Sequence, residues 1–150
     1  MNSDENTSEK KSRADQLAQT LPYLTPELIA EISPKFEQQT FQPGQMIIKQ
    51  GEIADCFFII ISGSVEIWHE GLSGHIEHVD TRNPGDYFGE TGLLTNRPRT
   101  ATVLAHQEGE VVVLVMGSRE FQEMMEESKA TEMHVAQEML QRLIILANAQ

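Results

Sequence analysis

Apolar residues follow helical spacing at both ends of the chain and strand-like alternation in its middle. Near the start, Leu17 and Leu21 lie four residues apart, which places both on one face of a helix. Thr25-Pro26-Glu27 has the composition of a helix N-terminus, with a hydroxyl cap followed by proline at the first helical position. The pattern therefore predicts two short helices before Pro34, which ends or kinks the second.

The middle of the chain, from Thr40 to about Met116, alternates short apolar runs with glycine-containing turns. Cys56–Ile61 indicates a buried strand, closed by Ser62-Gly63. About eight such strands at regular spacing predict an antiparallel sandwich or barrel. Residues 89–99 neither alternate nor form a simple turn, so a functional site is expected there.

The last third of the chain is expected to be helical. Ser118 is a candidate N-cap for a helix with Phe121, Met124 and Met125 on one face. After a break near Ser128, an apolar stripe recurs at spacings of three and four residues: Met133, Val135, Ala136, Met139, Leu140, Leu143, Ile144 and Ala147. We expect core packing for this stripe. A seam between two copies is the alternative, although the repeat spans only about two heptads.

These elements predict one α+β domain, a small antiparallel β-roll with flanking N-terminal and C-terminal helices. Residues 1–13 are polar and are expected to be a disordered tail. Helices are expected at 14–38 and 118–150, on either side of a roll that spans 39–117. A length of 150 residues fits a single domain.

Charge and composition exclude several classes of function. A formal net charge of −12 argues against binding to DNA, RNA or an anionic membrane, because clustered Lys and Arg hold such partners. The single cysteine, Cys56, rules out an intramolecular disulfide, fits a reducing compartment and is interpreted as a packed thiol. No run reaches the roughly 20 apolar residues of a membrane span, and no signal peptide is recognisable. We therefore expect a soluble, cytoplasmic protein.

The segment that breaks the strand pattern has two glycines around one acid. Gly89 and Gly92 allow backbone to approach a ligand closely, and the N–H groups of a helical turn starting here would face an anion. Glu90 suits such a site if the ligand also donates a hydroxyl, as a ribose 2′-OH does. Arg99 would bring a guanidinium fork to the same anion. Taken singly, these residues also fit turn glycines, a surface acid and a solvated arginine.

Together, these residues form a longer pattern. Phe88-Gly89-Glu90-Thr91-Gly92-Leu93-Leu94, followed by Arg99-Thr100-Ala101-Thr102-Val103, resembles the phosphate-binding cassette of cyclic nucleotide-binding domains. The glycine-punctuated segments 41–51, 57–65 and 84–88 resemble the β-roll of this family, so the likeness covers about residues 17–146. The family includes the catabolite activator protein, the cAMP- and cGMP-dependent protein kinases and the cyclic-nucleotide-gated channels.

The resemblance implies a role for each residue of the cassette, residues 88–103. Gly89 and Gly92 would present backbone N–H groups, Glu90 would accept the ribose 2′-OH, and Arg99 would pair with the cyclic phosphate. No metal and no cofactor besides the nucleotide is implied.

Three other cassette positions are also assigned to ligand binding. Ala101 would give one more backbone N–H. Thr91 departs from the family, in which a larger aliphatic residue is usual, and its side chain is expected to point into the roll. Thr100 stands where Ser or Thr adds a hydroxyl contact to phosphate or base. Threonine there is associated with cGMP in eukaryotic relatives and also occurs with cAMP, so the base stays open; we favour cAMP.

The resemblance also implies base contacts from the strand before the cassette, with Val79 and Arg82 as candidates. A solvated strand residue is the alternative for Arg82. The last helix would close over the base and carry the signal to an effector protein. Leu140, Leu143 and Ile144 are the candidate caps, with core packing as their alternative.

Rival functions have weaker support. No helix-turn-helix fits between the last predicted helix and Gln150, so direct DNA binding is not expected. His75 and His78 lie on opposite faces of a strand, which argues against a cupin-like metalloenzyme, and no catalytic grouping is present. Two roles remain: a free-standing sensor, or a regulatory domain cut from a larger kinase, channel, transporter or transcription factor. The polar ends of the chain favour natural termini and the first role.

Overall fold

Helices at both ends of the chain flank two four-stranded sheets in a computed structural model, which describes residues 12–149. The helices are α1 (Arg13–Thr20), α2 (Pro26–Ile32), α3 (Glu90–Thr95), α4 (Ser118–Glu127) and α5 (Lys129–Asn148), with a 3₁₀ turn at Ser33–Lys35. The strands are β1 (Glu37–Phe41), β2 (Met46–Ile48), β3 (Cys56–Ser62), β4 (Val65–Glu70), β5 (Ile76–Arg82), β6 (Tyr87–Phe88), β7 (Thr102–Ala105) and β8 (Val111–Gly117). Strands and flanking helices therefore follow the predicted order.

Each sheet is antiparallel throughout. One has the strand order β1-β8-β3-β6 and the other β2-β7-β4-β5. Helix α3 interrupts the strands between β6 and β7, in the segment that the sequence singled out. The predicted antiparallel β-roll is confirmed.

Strand β3 is buried on both faces, which explains its continuous apolar run. Phe57 and Ile59 pack with the helices in one core cluster. Phe58 and Ile60 point the other way and pack between the sheets in a second cluster. Because adjacent side chains of a strand face opposite sides, such a run needs a hydrophobic partner on each side.

The start of α2 is capped as the sequence predicts. The Thr25 hydroxyl accepts from the N–H of Leu28 at 3.2 Å, with Pro26 at the first helical position. The boundary of the tail needs a correction, because Ser12 caps α1 and Arg13 begins it. The Arg13 guanidinium is fixed by the carbonyl of Phe36 at 2.9 Å. The rest of the predicted tail, residues 1–11, lies outside the described residues.

The expected packing of the stripe on α5 is wrong for most of its members. Met133, Leu140 and Ile144 are 63%, 58% and 60% exposed, whereas Val135 is buried. Polar contacts to the roll, made by Glu138 and Arg142, decide which face of α5 turns inward. An apolar pattern that covers much of the helix circumference does not reveal that choice.

No helix within residues 12–149 has both the length and the apolar character that a membrane span requires.

Candidate functional site

The turn from β6 into α3 is possible only because residue 89 is glycine. Gly89 has φ +90°, and a Cβ there would lie 3.0 Å from the Cys56 carbonyl oxygen and 3.2 Å from Nη1 of Arg99. Gly89 also caps α3 without a side-chain hydrogen bond, so no capping side chain occupies the N–H groups of the first turn. The cassette backbone thus passes close to the arginine.

The lack of a side chain at Gly92 also serves the packing of the protein itself. A Cβ at this position would lie 2.5 Å from Cβ of Ala54 and 3.0 Å from the carbonyl oxygen of Arg97. The missing side chain therefore makes room for neighbouring loops of the protein rather than for a ligand. Gly92 nevertheless lines the pocket beside Gly89.

Arg99 is a buried cation that backbone carbonyls hold in place. It is 6% exposed; Nη1 donates to the carbonyl of Gly89 at 2.7 Å and Nη2 to that of Cys56 at 2.8 Å. The carboxylate of Asp55 lies 3.8 Å from Nη2 and is mostly in solvent. Burial lowers the pKa of Arg99 from its ordinary value, with partial compensation from Asp55. A buried guanidinium with remaining N–H donors and only a solvated counter-ion is prepared to receive an anion.

The same surroundings disfavour the thiolate form of Cys56. Burial, followed by the neighbouring charge of Asp55, raises the pKa of Cys56 from 9.0 to about 11. Only the thiolate is a nucleophile, so the packed-thiol interpretation fits the structure.

Glu90 is held by two partners inside the pocket. It is 2% exposed, and its Oε1 lies 2.9 Å from Nη1 of Arg142 on α5. The N–H bonds of Nη1 are poorly aligned with this oxygen, so the contact is an ion pair rather than a well-directed hydrogen bond. The Thr91 hydroxyl donates to Oε2 at 3.2 Å. Thr91 also lines the pocket, so its hydroxyl reaches the carboxylate from the pocket wall.

Arg142 is the main residue that sequence reasoning missed. Its guanidinium lies 4.4 Å from the centre of the Tyr87 ring, and the Tyr87 hydroxyl donates to Glu138, one turn earlier on α5. Burial alone would lower the pKa of Arg142, but the carboxylate of Glu90 and its neighbours raise it overall. The sequence does contain a feature that singles this residue out, since Arg142 is the single Lys or Arg between residues 130 and 150.

One pocket contains most of the predicted site. The space inside it that is wide enough for a water molecule amounts to about 50 Å³, and the pocket is partly open to solvent. The cassette members of its wall are Gly89, Glu90, Thr91, Gly92, Arg99, Thr100 and Ala101. The base-contact candidates Val79 and Arg82 also line it.

The predicted caps on α5 need a correction. Leu140, Leu143 and Ile144 do not line this pocket; Arg142, Ile145 and Leu146 do. The helix is rotated so that the face with Val135 and Arg142 turns inward, which carries Leu140 and Ile144 into solvent.

Arg82 is buried rather than solvated. Its Nε lies 3.3 Å from Oδ2 of Asp80, and Nη1 donates to the carbonyl of Tyr87 at 3.4 Å. Burial lowers its pKa, as does the nearby positive charge of Arg142. Among the residues that the structure describes, no group of His, Cys, Asp and Glu side chains could hold a metal ion.

Comparison with family models matches residues 38–128, which include this cassette, to the cyclic nucleotide-binding domain. The chain belongs to this family. The cAMP-dependent protein kinase regulatory subunit of Dictyostelium discoideum is 43% identical to this cyclic nucleotide-binding domain over 75 residues, 48% of this chain and 23% of that protein. The cGMP-dependent protein kinase of Caenorhabditis briggsae is 37% identical over 100 residues, 65% of this chain and 13% of that protein. An ABC transporter ATP-binding protein of Mycobacterium tuberculosis is 37% identical over 101 residues, 67% of this chain and 30% of that protein.

Solved structures agree with the family. The cAMP-bound PfPKA-R has a TM-score of 0.79 at 25% identity, covering 91% of this chain and 45% of that one. The catabolite activator protein of Thermus thermophilus has a TM-score of 0.72 and covers 83% of this chain and 58% of that one; at 22% identity it shows the fold alone. The cyclic nucleotide-binding domain is regulatory rather than catalytic, as expected. It spans 13% to 30% of the length of the three proteins compared above.

Proposed function

We propose that this chain is a sensor that binds a cyclic nucleotide, with cAMP favoured over cGMP, and signals to a partner through α5. The observation that carries the proposal is the buried guanidinium of Arg99, fixed by two backbone carbonyls in the same pocket as the carboxylate of Glu90. A ligand that pairs with the guanidinium and donates to the carboxylate must carry an anionic group and a hydroxyl group in one small molecule. A ribose 3′,5′-cyclic phosphate has both.

The two ends of the ribose phosphate have separate partners. The cyclic phosphate would pair with Arg99 and accept from N–H groups of the cassette, at Gly89, Gly92 and Ala101. The 2′-OH would donate to Glu90, one oxygen of which already accepts from Thr91. Similar structures that contain bound cAMP support this choice of ligand.

Helix α5 is positioned to report the ligand. Arg142 holds α5 to the cassette by its ion pair with Glu90, the residue that the ribose hydroxyl would engage. A bound ribose therefore changes the surroundings of Arg142 directly, and a shift of α5 follows if the ligand favours one helix position. Arg142, Ile145 and Leu146 replace the predicted caps, because they border the pocket.

The partner surface that we propose is the exposed stripe of α5. Met133, Leu140 and Ile144 form its centre, and an apolar helical face in solvent is typical of a docking site. An effector protein is the favoured partner, and a second copy of the chain is the other.

Relatives that are parts of kinases and of a transporter also support a role as one domain of a larger assembly. We place the protein in the cytoplasm, consistent with its single cysteine, which cannot form an intramolecular disulfide.

Calorimetric titration tests the proposal, with cAMP, cGMP and a cyclic dinucleotide as ligands. Arg99→Ala is expected to weaken binding by about 2–5 kcal/mol, because it removes the charge partner of the phosphate. Glu90→Ala is expected to cost about 1–3 kcal/mol. Arg97→Ala is the matched control, since this neighbouring arginine is exposed and does not line the pocket. Absence of binding to the wild type up to millimolar nucleotide would refute the proposal.

A further inference from the structure

Asp80 is an acid on the inner face of the roll. In the β4–β5 register it lies opposite Ile67, which is buried and borders the pocket. Residues opposite each other in an antiparallel pair lie on the same face of the sheet, so Asp80 also faces inward. The register shift between Ile67 and Trp68 places Val79 beside it on the pocket wall, against simple alternation. A carboxylate at such a position requires an explanation.

Part of that explanation is the neighbouring arginine, but Arg82 does not use the whole carboxylate. Oδ2 of Asp80 lies 3.3 Å from Nε of Arg82, and Oδ1 accepts from the N–H of Thr81 at 2.9 Å. Each carboxylate oxygen can accept two hydrogen bonds, so acceptor capacity remains. The side chain is 35% exposed, which leaves this capacity open to a ligand.

We propose that Asp80 selects the base of the bound nucleotide by accepting a hydrogen bond from the 6-amino group of adenine. The inference rests on the proposed function. With the phosphate at Arg99 and the ribose at Glu90, the base is the part of the ligand left to meet the β5 wall of the same pocket. Adenine has an N–H donor at position 6, whereas guanine has a carbonyl oxygen there. A carboxylate accepts from the first and repels the second.

Guanine has a second edge that carries N–H donors, and the contacts of Asp80 also favour adenine over that edge. Guanine could offer two adjacent N–H groups to a carboxylate, which bind best when both oxygens are free to accept side by side. In Asp80, each oxygen already accepts from, or lies close to, an N–H group of Thr81 or Arg82. Each oxygen keeps one acceptor position, and the single amino group of adenine needs only one of them.

The test compares two ligands that differ only at position 6. Calorimetric dissociation constants are measured for cAMP and for purine riboside 3′,5′-cyclic monophosphate, which has hydrogen in place of the amino group. The wild type is expected to bind cAMP about tenfold more tightly, the contribution of one hydrogen bond to a charged acceptor. In Asp80→Ala this preference should fall to about one, and the ratio of cGMP to cAMP affinity should rise. Glu77→Ala, which removes a charge from the same strand outside the pocket, should leave both ratios unchanged.

Each outcome decides the inference. Equal affinities for the two ligands in the wild type, or an equal loss for both in Asp80→Ala, would show that Asp80 only holds Arg82 and would overturn it. Tighter binding of cGMP that depends on Asp80 would overturn it as well. These results would leave the proposed function intact, whereas absence of nucleotide binding would overturn both. If thermal unfolding shows that Asp80→Ala is not folded, Asp80→Asn takes its place and is expected to lower the preference for cAMP.

Discussion

Replacing Arg142 with methionine is expected to lower the free energy of unfolding by about 2–4 kcal/mol. The change leaves the carboxylate of Glu90 buried without the cation that lies 2.9 Å away. Removing one partner of a buried ion pair costs about 3–5 kcal/mol. We expect somewhat less here, because the Thr91 hydroxyl still donates to Glu90 and Arg142 itself keeps some contact with solvent. Methionine retains an apolar stem over the Tyr87 ring, so the loss reports charge more than packing.

Urea unfolding, followed by circular dichroism and by the fluorescence of Trp68, measures this loss. A double-mutant cycle with Glu90→Gln isolates the interaction between the two side chains, and its coupling free energy should be about 1–3 kcal/mol. Arg119→Met is the control. Arg119 is 84% exposed and lies 3.7 Å from its neighbour Glu120, so its replacement should change stability by less than about 0.5 kcal/mol.

The expectation for Arg142 fails if the coupling free energy lies within about 0.3 kcal/mol of zero. Glu90 would then be stabilised by other groups, and the ion pair would not hold α5 against the cassette. The effect should also persist at high salt, because a buried pair is screened much less than a surface pair. A loss that disappears in about 1 M salt would indicate a solvent-exposed interaction instead.

Two further predictions concern Gly92 and Cys56, which lie in the elements around Arg99. Gly92→Ala should lower the free energy of unfolding by about 1–3 kcal/mol, because its new Cβ would lie 2.5 Å from that of Ala54. Gly109→Ala, where a Cβ meets nothing within 4 Å, should not; equal effects in urea titrations would contradict the packing argument. With a pKa of about 11 instead of 9.0, Cys56 should react with a thiol-specific disulfide reagent at pH 8 about a hundredfold more slowly than an ordinary cysteine. Unfolding in urea should restore the ordinary rate, and fast reaction of the folded protein would be evidence against the protected thiol.

The sequence reveals the phosphate end of the site because its residues are local to one turn. Gly89, Glu90 and Arg99 lie within eleven residues, and the conformation of that segment brings them together. Arg142 reaches the same place only through the packing of α5, more than 50 residues after Glu90. Short-range patterns carry no information about which turn of a distant helix meets the cassette. The predicted caps were wrong for that reason.

Two other differences between the sequence-based predictions and the structure also arise from tertiary contacts. Alternation along β5 does not predict that Val79 and Asp80 both border the pocket, because this needs a bulge in the β4–β5 pairing at which Val79 has no partner. The role of Gly92 depends on the approach of Ala54, from a loop almost 40 residues earlier. Neither the bulge nor the approach of the loop has a signature in the residues concerned. What the sequence predicts well is the set of elements, and what it predicts poorly is the contacts between them.

The energies of the α5 contacts are of the size that a ligand-driven movement requires. Helix α5 is tied to strand β6 by Glu138, which accepts from the Tyr87 hydroxyl, and to the cassette by Arg142, which pairs with Glu90. The hydrogen bond to Glu138 contributes about 1.5–3 kcal/mol and the ion pair with Glu90 about 1–3 kcal/mol, so the two together hold the helix by about 2.5–6 kcal/mol. Moving a two-state equilibrium from 1:99 to 99:1 takes about 5.5 kcal/mol of differential binding. A ligand with a dissociation constant of about 1 μM has a binding free energy of about 8.2 kcal/mol. It can release such a helix only if most of this binding free energy depends on the position of α5. Because α5 is tied to Glu90, a ligand that contacts Glu90 directly couples its own binding to the position of α5.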